Sequence, residues 1–471
     1  MILTDAPTAH AAAQLCASPN GCLSNVKRRD LFRYVRWLMW GAAIRPIPFE
    51  NHLPRRLGNY SAIINVILEI FLLLTVIHIF VLFILTLYLN YGSGDLEFFI
   101  GCSIQSMLYF WAIIIKIIFR RVRPELVRDI MDYVNEKYIV HSAVGFTYVT
   151  MNECLEQAER GIKYFVLSSL VAVIFWLFQP VVYEERTLPL PCWYPFDYKA
   201  PFIYPLAYFL QVIAQLQLAL TFVTNSIYFT VLCFLLCGQF DVLNCSLKNI
   251  LATTYILMGA SRKDLIELRE HQCNADDEIN QYFVAEELHI NLDCIPHVLT
   301  PATTAGTMNF RDAFHCALGQ CVDHHIFILN ALRKTEKLFS MVWFFKTLEV
   351  TFAICTIAFD VVKSTDDKSF LQVLSLGQYM ILVLWEMFMI CYGGEIVYIN
   401  SQRCDLALLR SPWYLHSREM RAEILFFLLH AQRAFALTGG KFYPLKLEKF
   451  QAILTTSFSF YTLLQNMDQR N

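Results

Sequence analysis

Apolar residues fall in seven long runs along this chain, and polar and charged residues collect between them. The runs are Ser61–Leu89, Leu96–Phe119, Tyr164–Tyr183, Pro205–Cys237, Leu338–Val362, Phe370–Val397 and Leu445–Met467. Each has roughly the 20 mostly apolar residues that a helix needs to cross a bilayer core. The pattern therefore predicts an all-α protein with seven transmembrane helices. Basic residues set its orientation. Of the Lys and Arg outside the runs, 29 lie before span one or between spans two and three, four and five, and six and seven. The other segments hold only Arg186, Lys199, Lys363, Lys368 and Arg470. Basic loops stay inside, so the N-terminus is expected in the cytoplasm and the C-terminus outside.

The spacing of the runs predicts four regions. Residues 1–59 form a cytoplasmic tail and pre-span segment, and 60–240 hold spans one to four. Residues 241–337 form a cytoplasmic loop with anchor helices, and 338–471 hold spans five to seven. The inner loop Gln239–Lys337 carries helical periodicity, as in Ile328, Leu329, Leu332 and Phe339. Span four is longer than a bilayer requires, so spans four to seven are expected to extend inward and pack as a bundle. Outer connections are short except Glu184–Tyr204. Its run PLPCWYPFDYKAPFIY, rich in proline and aromatics, predicts an ordered cap.

Composition narrows the function. Hydrophobic residues make up 56% and charged residues 17%, and the mean hydropathy is +0.44, too apolar for a soluble chain. A net charge of −2 argues against a nucleic-acid partner. Residues 1–25 lack an apolar core behind a basic start, so no cleaved signal peptide is expected. Lys27, Arg28 and Arg29 suit the cytoplasmic lipid surface. The fifteen cysteines are scattered, and Cys192 is the one in a clearly external loop, so no disulfide framework is expected. The inner-loop group His289, Cys294, His297, His315, Cys316, Cys321, His324 and His325 has zinc-type side chains. Its spacing matches no familiar finger and suits helix packing, so no metal or other cofactor is expected. Gly-rich phosphate loops, HExxH, GxSxG and internal repeats are absent, which counts against an enzyme or an inverted-repeat transporter.

Ionisable residues inside spans need partners. Lys346 and Glu349 are three apart on one helix face and are expected to pair. Glu386 is expected to bond a neighbouring helix or to join a gating path, and Glu69 and His78 lie in span one. Lys116 is expected to snorkel inward.

Span seven is the most instructive. Thr455, Ser459, Thr462 and Asn466 recur at steps of four, three and four, forming one polar stripe. Thr456, Leu463 and Met467 flank it on one side, and Leu454, Phe458 and Tyr461 on the other. Small hydroxyls beside bulky apolar groups suit a narrow water path with hydrophobic constrictions. The same residues also suit close helix packing. One stripe cannot enclose a pore, so the channel reading requires copies around an axis. Asp468 would add carboxylates at the outer mouth.

The terminal stretch GGKFYPLKLEKFQAILTTSFSFYTLLQNMDQ, Gly439 to Gln469, resembles the last span of insect odorant receptors. Tyr392-Gly393-Gly394-Glu395, Ser411-Pro412-Trp413-Tyr414, Arg433, Leu437-Thr438 and the outer run Leu190–Asp197 extend the likeness. The final span resembles an odorant-tuned subunit more than the shared coreceptor, and it lacks the ending of gustatory relatives. The resemblance implies an odorant-binding subunit of a heteromeric, ligand-gated, non-selective cation channel. It implies a tetramer with coreceptor subunits in the plasma membrane of olfactory sensory dendrites, with lipids, permeant cations and a small volatile as its other partners. Carried over, the pore and gate fall on Thr456, Ser459, Leu463, Asn466 and Met467. The odorant pocket falls on the outer halves of four spans. Span two supplies Phe99, Cys102, Ser103 and Ser106, and span three Val171, Ile174, Phe175 and Phe178. Span four supplies Tyr204, Tyr208, Gln211 and Ile213, and span six Tyr379, Leu382 and Val383. The alternatives are a gustatory-type channel of the same fold and a G-protein-coupled chemoreceptor. The second needs an external N-terminus and an acidic-Arg-Tyr triplet after span three. The chain has Glu184-Glu185-Arg186 there, on the expected outer side, and no Asn-Pro-x-x-Tyr in span seven.

Overall fold

The computed structural model describes residues 30–44, 58–91, 96–139, 152–182, 188–258, 308–363, 370–409, 411 and 417–468. The basic cluster Lys27–Arg29 and the inner-loop residues His289, Cys294 and His297 lie outside them. The chain is built of helices, named here in order: α1 (Arg33–Gly41), α2 (Gly58–Leu89), α3 (Leu96–Ile117), α4 (Pro124–Lys137), α5 (Asn152–Val182), α6 (Ile203–Lys248) and α7 (Ile250–Leu257). They continue as α8 (Phe310–Lys363), α9 (Phe370–Leu409), α10 (Ser417–Ala431) and α11 (Leu447–Asp468), with a short hairpin, β1 (Thr438–Gly439) and β2 (Tyr443–Pro444), before α11. A π-turn at Ile118–Val122 extends α3.

Among the described residues, five helices are long and apolar enough to cross a membrane: parts of α2, α3, α6, α8 and α9. Two of the seven apolar runs fall short of that measure. In α11 the Ser, Thr and Asn stripe dilutes the hydropathy, and in α5 the side chains of the outer part lie outside the described set. The faces of α2 leave Ile63, Ile67, Ile70 and Leu74 more than half exposed. Such a continuous apolar surface needs a non-aqueous surrounding.

Three helices are far longer than a bilayer core. α6 has 46 residues, α8 has 54 and α9 has 40. At 1.5 Å per residue, 46 residues span about 69 Å against a core of about 30 Å. Both ends of the expected loop at 241–337 are therefore helix: α6 runs on through Lys248 and is followed by α7, and α8 already begins at Phe310. No proline interrupts Phe310–Lys363, so nothing in that stretch ends the helix where the apolar run begins. These inner lengths pack into the largest core. Phe339 stacks on Trp343 at 5.6 Å, and Trp343 meets Phe229 of α6 edge-on at 5.0 Å.

The histidines of this region are used for packing. His324 bonds Gln239 at 3.0 Å, and Gln239 also bridges both backbone groups of Ile139. His315 pairs with Glu423 at 2.7 Å, and His325 packs on Phe427. The three imidazoles thus face three different partners.

Lys116 corrects the sequence expectation. It is 3% exposed and does not reach toward headgroups. Its ammonium bonds the Ala42 carbonyl and Gln217 Oε1, while Gln217 Nε2 donates to the Gly41 carbonyl. The end of α1 presents free carbonyls and a negative dipole end, and a buried cation satisfies both.

Candidate ligand pocket and pore helix

α11 is held at its base before it crosses the bundle. The hairpin pairs Thr438 with Pro444 and Gly439 with Tyr443. It docks on α8, where Thr438 N donates to Glu336 Oε2 at 2.9 Å and Gly440 N to the Ser340 carbonyl at 2.7 Å. Gly440 has a φ of +61°, a conformation that glycine adopts without a steric cost. Tyr443 reaches up α8 to Thr347 Oγ1 at 2.6 Å. At the first turn of α11, Leu447 N donates to Glu395 Oε2 of α9 at 3.1 Å. A carboxylate there complements the positive end of the helix dipole. Glu395 belongs to the Tyr-Gly-Gly-Glu motif, so this motif inside α9 caps the start of α11.

Above the base, α11 has two unlike faces. Ile453 and Ser457 are buried at 2% and 1% exposure. Ser457 donates to the Thr351 carbonyl of α8, Phe450 meets Phe388 of α9, and Phe460 stacks on Phe352 of α8. The other face carries Thr455, Thr456, Ser459, Leu463 and Asn466, all exposed. Their hydroxyls donate back to carbonyls of their own helix, Thr456 to Ala452 and Ser459 to Thr455, so these donors are satisfied without a neighbouring helix. Leu463 is 55% exposed. The side chains of Met467 and Asp468 lie outside the described residues.

The end of the bundle that carries the 188–202 connection has its own core. Cys102 of α3, Tyr109, Ala207, Ala214 and the cap residues Leu190, Cys192 and Tyr194 pack together with Phe83 of α2. The described part of the cap, from Leu188 on, packs against this core, in line with its prolines and aromatics. Gln211 is fully buried and binds it: Oε1 accepts from Leu190 N at 2.9 Å, and Nε2 donates to the Leu190 carbonyl and to the Tyr194 hydroxyl. Burial pushes the Tyr194 hydroxyl up to about 12, so it keeps its proton. Trp193 N donates to Thr86 Oγ1 of α2 at 2.8 Å.

The structure brings together some of the expected pocket residues and not others. Cys102 and Ser106 are buried, while Phe99, Ser103, Tyr204, Tyr208, Ile213, Tyr379 and Leu382 are half-buried. Tyr204 and Tyr208 lie side by side at 6.0 Å, and Ser103 bonds back to the Phe99 carbonyl. Val383 is buried in a third core with Val350, Met387 and Ile453 of α11. Tyr379 packs against both this core and the one at the 188–202 connection. Val171 and Ile174 are exposed on α5. The side chains of Phe175 and Phe178 lie outside the described residues.

Between the two cores sits a charged group. Lys346 pairs with Glu349 at 2.8 Å, as their spacing predicts, and also with Glu386 of α9 at 3.0 Å. Ser226 of α6 donates to Glu386 Oε1. Three helices are thus joined by one ammonium and two carboxylates. Glu69 pairs separately with Arg120 at 2.7 Å. Asn225 and Ser226 were missed by sequence reasoning, because a lone Asn-Ser in an apolar run carries no spacing signal.

Comparison with known proteins agrees with this architecture. The profile of the 7tm Odorant receptor family matches residues 148–458. The chain is 44% identical to Odorant receptor 83a of Drosophila melanogaster, over 94% of this chain and 97% of that one. It is 32% identical to the same species' Putative odorant receptor 85e, over 94% of each. Among solved structures, the insect olfactory receptor OR5 from Machilis hrabei in complex with eugenol superposes with a TM-score of 0.68. That match covers 93% of this chain and all of the other at 14% identity, which speaks to the fold alone. A matched profile over most of the length, near full-length relatives and a shared helical architecture make this chain a member of the insect odorant receptor family, a multi-pass membrane receptor and not an enzyme.

Proposed function

We propose that the chain is the odorant-tuned subunit of a ligand-gated, non-selective cation channel. It assembles as a tetramer with coreceptor subunits in the plasma membrane of olfactory dendrites. All seven apolar runs cross the bilayer, with the N-terminus inside. The carrying observation is the divided surface of α11: Ile453 and Ser457 are buried against α8 and α9, while Thr456, Ser459, Leu463 and Asn466 are left uncovered. A helix that is polar and uncovered on one side and anchored on the other suits a water path completed by neighbouring subunits. Leu463 and Met467 form its apolar constriction.

The volatile binds in the outer half, among Phe99, Cys102, Ser103, Ser106, Tyr204, Tyr208, Ile213, Tyr379, Leu382 and Val383. Val171, Ile174, Phe175 and Phe178 form its α5 side, and Gln211 holds the cap over it. An apolar site of this kind holds a ligand of about ten heavy atoms at micromolar strength by burial. Tyr379 and Val383 supply the route to the pore, since they pack on the outer core and on Ile453 respectively. Opening requires the ligand to prefer the open arrangement.

The test is recording from cells that express the chain with a coreceptor while a panel of volatiles is applied. Leu463→Ala and Met467→Ala are expected to raise basal current severalfold. Unchanged basal and evoked currents in both variants remove these residues from the gate. Absence of any volatile-evoked current with the coreceptor, despite surface expression, rejects the odorant-channel reading.

A further inference from the structure

The polar stripe of α11 does not begin at Thr455. Glu448 stands seven residues before Thr455, eleven before Ser459 and eighteen before Asn466. At about 100° per residue, that spacing keeps it within about 20° of each of them around the helix. It therefore lies in the middle of the uncovered face, nearly opposite the buried Ile453 and Ser457, and its own side chain is exposed. At 1.5 Å per residue, Glu448 and Asn466 are about 27 Å apart along the helix, close to the ~30 Å of a bilayer core. The stripe thus carries a carboxylate at one end and is neutral from Thr455 to Asn466.

The lysines on either side of Glu448 in sequence are committed elsewhere. Lys446 sits 3.4 Å from the ring centre of Tyr398 on α9, and Lys449 4.3 Å from that of Tyr443 in the hairpin. Glu395 is used at the Leu447 N–H. Glu448 itself makes no ion pair among the described residues. A first-turn glutamate also favours the positive end of its helix dipole, but a carboxylate at position 447 or 449 would do so from another face. Here both lysines turn to rings, and the carboxylate takes the uncovered side.

We propose that Glu448 is the charge-selecting residue at the inner mouth of the pore. Each copy of this chain places one carboxylate there, which gathers cations from the cytoplasm and turns anions away. The inference rests on the channel reading and on the orientation given with it. Carboxylates at a mouth select cations because low-dielectric walls focus their field into the water path. Leu463 lies fifteen residues further on, about 22 Å along the helix. Glu448 therefore acts on the entry of ions and leaves the constriction alone. Its effect is one-sided and favours outward flow, which starts at that mouth.

The test is single-channel recording from patches of cells that express the full chain with a coreceptor. Channels are opened by a panel volatile to which wild type responds, and potassium chloride is varied on the cytoplasmic side. At about 0.15 M, Glu448→Gln should lower outward relative to inward unitary conductance roughly 1.5-fold or more, and Glu448→Lys by more still. At about 1 M, where the Debye length falls to about 3 Å, these differences should shrink. Glu448→Asp should keep the wild-type ratio. Loss of a merely structural glutamate changes how many channels reach the surface and not this ratio. An unchanged ratio in both the Gln and Lys variants at about 0.15 M, with evoked current intact, overturns the proposal and leaves the channel reading standing. Absence of volatile-evoked current from wild type with the coreceptor rejects that reading and the proposal with it. Should Glu448→Lys fail to reach the surface, the Gln and Asp variants decide it.

Discussion

Glu395 shows how one side chain can serve two helices. It belongs to α9, yet its carboxylate accepts the backbone N–H at the start of α11. Removing such a cap typically costs about 1 kcal/mol, and the effect at a helix N-terminus is larger for a charged acceptor. Glu395→Ala should lower the melting temperature of the purified protein by a few degrees, and Glu395→Gln, which keeps an acceptor, should recover most of the loss. Identical melting of wild type and Glu395→Ala would mean that water caps α11 equally well. Residues of this kind mark the limit of sequence reasoning. Lys346 with Glu349 was legible because three residues make less than one helical turn, so the pair is written in spacing alone. The third partner, Glu386, comes from another helix, and Gln211 finds the cap across 21 residues of chain. Such meetings depend on how helices rotate against one another, which no spacing records. Lys116 failed for the same reason: a lone lysine near a helix end reads as snorkelling until the end of α1 is placed beside it.

α9 lies tight against the turn into α11 at Gly394. A Cβ on Gly394 would run into the Leu445 carbonyl oxygen, a backbone atom that cannot swing aside. Gly377, on the same helix, has open space around it. Gly394→Ala should therefore sharply reduce the folded protein recovered by size-exclusion chromatography, whereas Gly377→Ala should leave the yield close to wild type. Equal yields would show that α9 and α11 can separate at low cost. At this scale the sequence was informative about where helices lie and poor on where they stop. The apolar run of α8 begins at Leu338, but the helix extends N-terminally from it on a mixed polar and apolar periodicity, so its start at Phe310 precedes that run by 28 residues. The polar stripe of α11 was legible by its period, and the structure adds that Ile453 and Ser457 mark the covered side.

For the molecule as a whole, the proposed topology makes a chemical prediction. Asn59-Tyr60-Ser61 and Asn244-Cys245-Ser246 are both glycosylation sequons. Asn244 is also fully buried in the inner part of α6. Both should stay unmodified in cells, so glycosidase treatment should leave the mobility of the chain unchanged, whereas a sequon engineered into the 184–204 cap should acquire sugar. Sugar at Asn59 would reverse the assigned orientation. The unbroken length of α8 has a mechanical consequence. A rod of 54 residues is about 81 Å long, and it touches the charged group, the hairpin and the inner core in turn. Held at one end, such a rod turns a lean of about 5° into a sideways sweep of roughly 7 Å at the other. A nudge no larger than a methyl group near the outer leaflet is then felt many ångströms below the lipid, where subunits would grip one another.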